Sequence, residues 1–153
     1  MISHRSCALL GIAVCQALPG QGNTEEAARP VAAHVERLLV CNKADHSLSI
    51  FDPGTRREVA VVQTGEGPHE VAVSPNGRTA VVTDYGAQKP GSTLTVVDVV
   101  EGKALRTIEL SYADTDANVG TRQKNLLRPH GIQFVAADRI VFTSESARRL
   151  VLF

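Results

Sequence analysis

Aromatic residues and an excess of charge of either sign are what this sequence lacks most clearly. Of its 153 residues only 4% are Phe, Trp or Tyr, and there is no Trp. So few aromatic side chains leave no visible platform on which nucleobases or sugar rings could stack. The 16 Lys and Arg residues are matched by 16 Asp and Glu, so the sequence predicts no basic field for nucleic acid or an anionic membrane surface. The expected ligand is therefore a small molecule or another protein.

Motifs of common catalytic and cofactor sites are also missing. The sequence has no nucleophile elbow, Walker A loop, dinucleotide fingerprint, haem-attachment Cys-x-x-Cys-His or zincin helix. We therefore expect no cofactor and no metal ion. Both an enzyme and a binding protein without catalytic activity are compatible with these absences.

The N-terminal segment resembles a secretory signal peptide. An apolar run from Cys7 to Leu18 has the length of a signal core and is too short to span a membrane. We predict that residues 1–17 are the signal, with Ala17 at its end and the protein in the periplasm or outside the cell. A buried helix or a misassigned start is the alternative, and a lipid anchor at Cys15 is disfavoured because bulky Val14 precedes it.

Residues 18–37 are rich in Gly, Ala and polar side chains and are expected to form a flexible leader, with room for one short helix. Beyond the signal the chain keeps a single cysteine, Cys41, so no internal disulfide can form. Because Cys41 lies within an apolar segment, it is interpreted as a small buried hydrophobic residue.

The central segment predicts consecutive antiparallel β-strands. Its apolar and β-branched residues either alternate with polar ones or form short runs, and Pro75-Asn76-Gly77 between two such runs is a hairpin signal. The predicted strands are Glu70–Ser74, Thr79–Asp84, Thr93–Asp98 and Ala104–Leu110. The residues predicted to be buried are Val71, Val73, Val81, Ile108 and Ile132.

Copies of this segment occur on both sides of it. Upstream, Ser47–Asp52 (SLSIFD) matches Thr93–Asp98 (TLTVVD), and downstream Pro129-His130-Gly131-Ile132 matches Pro68-His69-Glu70-Val71. Four strands in a period of about 40–50 residues are typical of a β-propeller blade. We predict an all-β, partial β-propeller over residues 38–153 with about two and a half antiparallel blades. The expected strands number three in Leu38–Gln63, four in Glu70–Leu110 and three in His130–Phe153.

Two short motifs resemble the YVTN-type β-propeller repeat family. Ser74-Pro75-Asn76-Gly77 is similar to its S-P-D-G turn, and Val81-Val82-Thr83-Asp84 and Leu39-Val40-Cys41-Asn42 are similar to the Y-V-T-N strand. The resemblance covers Leu38–Phe153. It implies a seven-bladed propeller, often outside the cytoplasm, and we therefore expect this chain to be a fragment or a truncated gene product. Some similar propellers are lactonases or other hydrolases, and others hold metal or redox cofactors.

The segment Ser111–Arg128 is long for a connection between blades. Asp114, Asp116 and Asn118 alternate as the first ligands of a calcium loop do, but Gly120 comes one position too late for the required turn. We therefore expect a solvated loop rather than a calcium site.

The candidate site residues are His69, Glu70 and His130. Both histidines follow a proline and precede the first strand of a repeat, and in a propeller the first strands line the central channel. We therefore predict that His69 and His130 lie at the same end of adjacent blades and face the axis of the propeller. Imidazoles there could bind a ligand or metal or act in acid–base catalysis, and the alternative is that they only stabilise the turn between blades. Asp52 and Asp98 end strands and are expected to cap turns.

Two functional classes remain open. The favoured one is an exported binding or interaction scaffold, because no complete catalytic set is visible. The alternative is a lactonase-like hydrolase or a metal-dependent propeller enzyme with its site at the rim of the channel. The fold by itself does not decide between them.

Overall fold

The computed structural model describes residues 36–153. The predicted signal (1–17) and all but the last two residues of the predicted leader (18–37) lie outside this range. Within it the chain is all-β, and no helix there is long and apolar enough to cross a membrane. The strands are β1 Leu38–Asn42, β2 Ser47–Asp52, β3 Arg57–Gln63, β4 Pro68–Val73, β5 Thr79–Gly86, β6 Pro90–Asp98, β7 Lys103–Glu109, β8 Ser111–Asp116, β9 Gly120–Asn125, β10 Pro129–Ala136, β11 Arg139–Ser144 and β12 Arg149–Leu152.

The strands form antiparallel sheets in chain order, as the blades of a partial propeller do. The first sheet is β1-β2-β3, the second is β4-β5-β6-β7 and the third is β10-β11-β12. The predicted three, four and three strands are therefore confirmed. Strand β4 of the second sheet contacts β1 of the first and β10 of the third, so the leading edges of neighbouring sheets meet.

The middle strands of the second sheet, β5 and β6, are buried on both faces. Val82 packs with Leu48 and Ile50 of the first sheet, and the adjacent Val81 packs with Ile140 and Phe142 of the third. Successive side chains of a strand point to opposite faces. The unbroken apolar run at the start of β5 thus supplies both cores, as expected of a strand that is covered on each side.

The predicted hairpin forms between β4 and β5. The N–H of Gly77 donates to the carbonyl of Ser74 at 2.8 Å, and the Asn76 side-chain oxygen accepts from the N–H of Arg78 at 3.0 Å. Gly77 has a φ of 73°, whereas Asn76 does not adopt a positive φ. The turn therefore needs glycine at one position only.

Asp52 and Asp98 cap the turns that follow β2 and β6, as predicted. Asp52 Oδ1 accepts from the N–H of Thr55 at 2.9 Å, and Asp98 Oδ1 accepts from Val100 and Glu101, both at 2.9 Å. These hydrogen bonds lower the pKa of both carboxyl groups.

The burial predictions were right for Val81 and wrong for Val73. Val81 is 5% exposed, whereas Val73 is 40% exposed, because it is the last residue of β4 and lies beside the turn. Ala72 is the buried residue at this end of the strand. Val71, Ile108 and Ile132 are only partly buried, although each packs against one of the two cores.

The expected loop at Ser111–Arg128 is instead an ordered hairpin of β8 and β9. At its base the buried side chains of Leu110 and Leu126 belong to the core between the second and third sheets. The N–H of Leu126 donates to the carbonyl of Leu110 at 3.0 Å. Asp114 pairs with Lys124, and Asp116 accepts from backbone N–H groups of its own turn. The two carboxylates are thus engaged in the hairpin itself.

Candidate functional site

The two Pro-His pairs meet at one end of the second and third sheets. Pro68 pairs with Asp84 at the start of β4, and Pro129 pairs with Ser144 at the start of β10, so the two repeats place their histidines in the same register. The ring centroids of His69 and His130 are 4.3 Å apart. The prediction that they lie at the same end of adjacent blades is confirmed.

Glu70 completes what we call the rim cluster, which consists of His69, Glu70 and His130. Glu70 Oε1 lies 3.3 Å from His130 Nδ1, and the side chains of His130 and Glu70 are 32% and 40% exposed. One ligand atom from each of the three residues lies within 4.8 Å of the others. The backbone N–H of Glu70 donates to Thr83 Oγ1 at 3.0 Å, which fixes the strand that carries two of the three side chains.

A second set of side chains, Lys43, Tyr85 and Glu145, surrounds the rim cluster. Asn42, Asp84 and Ser144 occupy equivalent positions in the first, second and third sheets, and the residues of this set directly follow them in the chain. Tyr85 Oη donates to Glu145 Oε2 at 2.7 Å, and Lys43 Nζ lies 4.7 Å from the centre of the Tyr85 ring.

Tyr85 links this set to the histidines. Its ring centroid is 5.1 Å from that of His69 and 5.6 Å from that of His130. Lys43, Tyr85 and Glu145 could not be predicted from a repeated residue, because three different residue types occupy the equivalent position. The available signal was the register of the repeat, which aligns the three positions even though their side chains differ.

Arg128 is a strained residue at the same place. It has a φ of 53°, and its equivalent in the preceding repeat, directly before the other Pro-His pair, is Gly67 with a φ of 62°. A non-glycine residue in this conformation costs about 1–2 kcal/mol. The guanidinium carbon of Arg128 lies 4.8 Å from the centre of the Tyr85 ring. This backbone conformation accompanies a cation placed beside the rim cluster.

The surroundings of His69 favour its neutral form. Partial burial lowers its pKa most, and the positive charge of Lys43 and the neighbouring His130 lower it further, against the opposing effect of Glu70 and Glu145. At neutral pH the imidazole of His69 therefore has an unprotonated nitrogen that can accept a hydrogen bond or bind a metal ion.

A buried carboxylate lies behind the rim cluster. Asp84 is fully buried, and its oxygens accept from the N–H of Gly65 at 3.1 Å and from the hydroxyls of Thr93 and Thr95 at 2.7 and 2.9 Å. Burial raises the pKa of Asp84, while the three hydrogen bonds act in the opposite direction. Gly65 lies in the connection between the first and second sheets, just before Pro68 and His69, and Thr93 and Thr95 lie in β6. The hydrogen bonds of Asp84 therefore hold this connection against the middle of the second sheet.

Two further side chains near the site have structural roles. His46 Nδ1 accepts from the N–H of Gly67 at 3.0 Å, so it holds the residue that precedes Pro68. Cys41 is only partly buried, and it packs against the core between the first and second sheets. Burial, together with the charges of Asp84 and Glu70, raises the pKa of the Cys41 thiol to about 11. The thiol is therefore protonated at neutral pH, in line with its interpretation as a small hydrophobic residue.

No family model and no curated protein matches this chain. Among solved structures it is similar to the dihydro-heme d1 dehydrogenase NirN in complex with DHE, with 19% identity and a TM-score of 0.49, covering 69% of this chain and 20% of that one. It is also similar to Kuenenia stuttgartiensis hydrazine synthase, with 12% identity and a TM-score of 0.44, covering 76% of this chain and 48% of that one. Both proteins have β-propeller-type folds. The chain thus spans a fifth and about half of these two proteins.

Proposed function

We propose that this chain belongs to an exported YVTN-type β-propeller repeat protein that acts as a binding scaffold, with the rim cluster as its ligand site. The observation that carries the proposal is the convergence of chemically active side chains from three successive sheets. His69 and Glu70 come from the second sheet and His130 from the third, while Lys43 follows the last strand residue of β1 in the first. A repeat fold builds a site in this way, because equivalent positions of successive blades meet at its axis.

The ligand that suits this surface is a small polar molecule with an anionic group. Lys43 and Arg128 lie over the Tyr85 ring and offer two cations at the edge of the rim cluster. The neutral imidazole of His69 can accept a hydrogen bond, and Glu70 and Glu145 can accept from donors of the same molecule. A ligand with both a carboxylate and a hydrogen-bond donor would use both kinds of partner.

The test is a titration of the 153-residue protein with acetate, succinate and citrate in the presence of a chelator, in which calorimetry measures binding and NMR of the histidine imidazoles locates it. We expect shifts at His69 and His130 for at least one compound. The double variant His69→Ala, His130→Ala should no longer bind that compound, and its thermal stability should be unchanged. Binding that persists in the double variant, or shifts at neither histidine with any compound, would contradict the ligand site. Reduced stability with unchanged binding would assign the two histidines a structural role.

Export is a separate part of this proposal. It is supported by the signal-like run Cys7–Leu18 and by the resemblance to a family often found outside the cytoplasm. N-terminal sequencing of the expressed protein is its measurement: a start near Leu18 supports export, and a retained Met1 on a cytoplasmic protein contradicts it.

A lactonase-like hydrolase is the second candidate, and one observation favours it. The carboxylate of Glu70 lies 3.3 Å from His130 Nδ1, and a carboxylate in this position can orient an imidazole that acts as a general base. Hydrolysis of a δ-lactone by the protein, lost in both His130→Ala and Glu70→Gln, would establish this activity. A rate no higher than that of the buffer alone would exclude it for that substrate class.

A further inference from the structure

The rim cluster contains the donor atoms of a transition-metal site. It offers two imidazoles and one carboxylate, and its ligand atoms lie within 4.8 Å of one another. Glu70 Oε1 and His130 Nδ1, at 3.3 Å, are already separated as two ligands of one tetrahedral ion are, given metal–ligand bonds of about 2.0–2.2 Å. The ring centroid of His69 is 4.3 Å from that of His130, so the third ligand of the set lies beside the other two.

Glu145 lies near the nitrogen of His130 that does not face Glu70. A histidine that binds a metal through one nitrogen usually donates its other N–H to a carboxylate or carbonyl. While Nδ1 of His130 faces Glu70, Nε2 lies 3.9 Å from Glu145 Oε1, so Glu145 would accept from it only after moving closer. Glu145 is itself held by the hydrogen bond from Tyr85 Oη at 2.7 Å, so its position does not depend on His130 alone.

The charged side chains around the rim cluster are compatible with a metal cation that carries an anionic ligand. Glu70 and Glu145 face His130, and Lys43 and Arg128 lie over the Tyr85 ring, so two acidic and two basic groups balance around the cluster. A divalent ion bound by three protein ligands keeps at least one open position. An anionic group that enters this position would be neutralised by Lys43 and Arg128.

We propose that His69, Glu70 and His130 bind one divalent first-row transition-metal ion, such as Zn²⁺, and that this ion strengthens the binding of the ligand of the rim by adding one contact to those of Lys43 and Arg128. The proposal rests on the proposed ligand-binding function of the rim cluster and goes beyond the sequence, which predicts no metal site. Imidazole ligands select zinc, iron, cobalt, nickel or copper over calcium and magnesium, which take oxygen ligands.

The experiment is a titration of the tag-free 153-residue protein with Co²⁺, followed by its visible absorption, with Zn²⁺ as the competitor. We expect one Co²⁺ per chain, displacement by Zn²⁺, and at least a tenfold loss of affinity in each of His69→Ala, His130→Ala and Glu70→Gln. Glu66→Gln, which removes an exposed carboxylate from the turn before β4, is the matched control and should bind as the unaltered protein does.

Cys7 and Cys15 could also bind Co²⁺ through their thiolates, so the variants decide the location. Binding that all three variants retain overturns the proposal, as does the absence of saturable binding. Where a variant fails to fold, the unaltered protein still gives the answer by NMR. Zn²⁺ should shift the imidazole signals of His69 and His130 and leave that of His46 in place, because Nδ1 of His46 already accepts from Gly67. Shifts at neither His69 nor His130 overturn the proposal.

Failure of the metal site and failure of the proposed function can be told apart. Carboxylate binding to the chelated protein without any Co²⁺ binding overturns the metal ion and leaves the ligand site in place. The absence of both overturns both.

Discussion

Replacing Asp84 with alanine should lower the free energy of unfolding by about 3 kcal/mol. Its oxygens accept hydrogen bonds from Gly65, Thr93 and Thr95 inside the protein. Each bond to a charged group contributes about 1.5–3 kcal/mol, and a buried donor without a partner costs about 1–3 kcal/mol. The contributions of one network are not additive, so the expected loss is that of the most costly donor rather than the sum. Urea unfolding is the measurement.

Asp84→Asn is the matched control, because the first sheet already has asparagine at this position. Asn42 Nδ2 donates to the hydroxyls of Ser47 and Ser49 at 3.1 and 2.7 Å. An asparagine at position 84 could donate to the threonine hydroxyls in the same manner while its oxygen accepts from Gly65. We therefore expect Asp84→Asn to lose no more than about 1 kcal/mol. An equal loss in both variants would show that an amide cannot replace the carboxylate in this network, and a loss below about 1 kcal/mol in Asp84→Ala would show that the network does not stabilise the fold.

The difference in stability between the unaltered protein and Asp84→Asn should depend on pH, and the direction follows from the pKa of Asp84. The folded-state pKa of Asp84 is raised above its ordinary value of 3.8. Its protonated form is therefore favoured by folding, and the resulting stability is fully present below pH 3.8 and is lost as the pH rises through the raised pKa. Relative to Asp84→Asn, the unaltered protein should become less stable as the pH rises across this window. A stability difference that stays constant with pH would contradict the shift.

The strands and their grouping could be predicted from the sequence because both depend on local patterns. Alternation in Thr93–Asp98, the Asn76-Gly77 signal and the matching segments on either side each reflect a strand or turn that the structure contains. The meeting of His69 with His130 followed from the same register. A repeat converts one local observation into a long-range one, because equivalent residues of adjacent blades must lie at the same end.

The features that could not be predicted are those without a repeated residue or an apolar pattern. The hairpin of β8 and β9 has only exposed or partly exposed residues, so no hydrophobic alternation marks it, and its position depends on the buried pair Leu110 and Leu126 at its base. Arg128 adopts a conformation that its sequence does not favour, and only comparison with Gly67 in the other repeat shows why.

Replacing Gly67 with alanine should affect the fold and the rim cluster together. A methyl group at position 67 would overlap the carbonyl oxygen of Gly86, which is backbone and cannot move aside as a side chain could. The positive φ of 62° adds a second cost. The conformation accounts for about 1–2 kcal/mol and the overlap for about 1–3 kcal/mol, so the variant should lose about 2–5 kcal/mol.

Gly77→Ala is the control that separates these two costs. Gly77 has a φ of 73° in the same sheet, but a methyl group there would meet nothing within 4 Å. It should therefore lose only the conformational part, about 1–2 kcal/mol. Urea unfolding of both variants measures the difference, and equal losses would show that the chain relieves the overlap by a small shift at Gly86.

The position of Gly67 gives this prediction its second readout. Its N–H donates to His46 Nδ1 at 3.0 Å, its carbonyl accepts from the N–H of Tyr85 at 3.2 Å, and it precedes Pro68 and His69. A displacement at this residue must therefore move both Tyr85 and the start of β4. We expect the imidazole signal of His69 to shift in Gly67→Ala and to stay in place in Gly77→Ala. An unshifted His69 signal in a destabilised Gly67→Ala protein would show that the rim cluster is held by β4 itself, through bonds such as that between Glu70 and Thr83, rather than by the connection that leads into it.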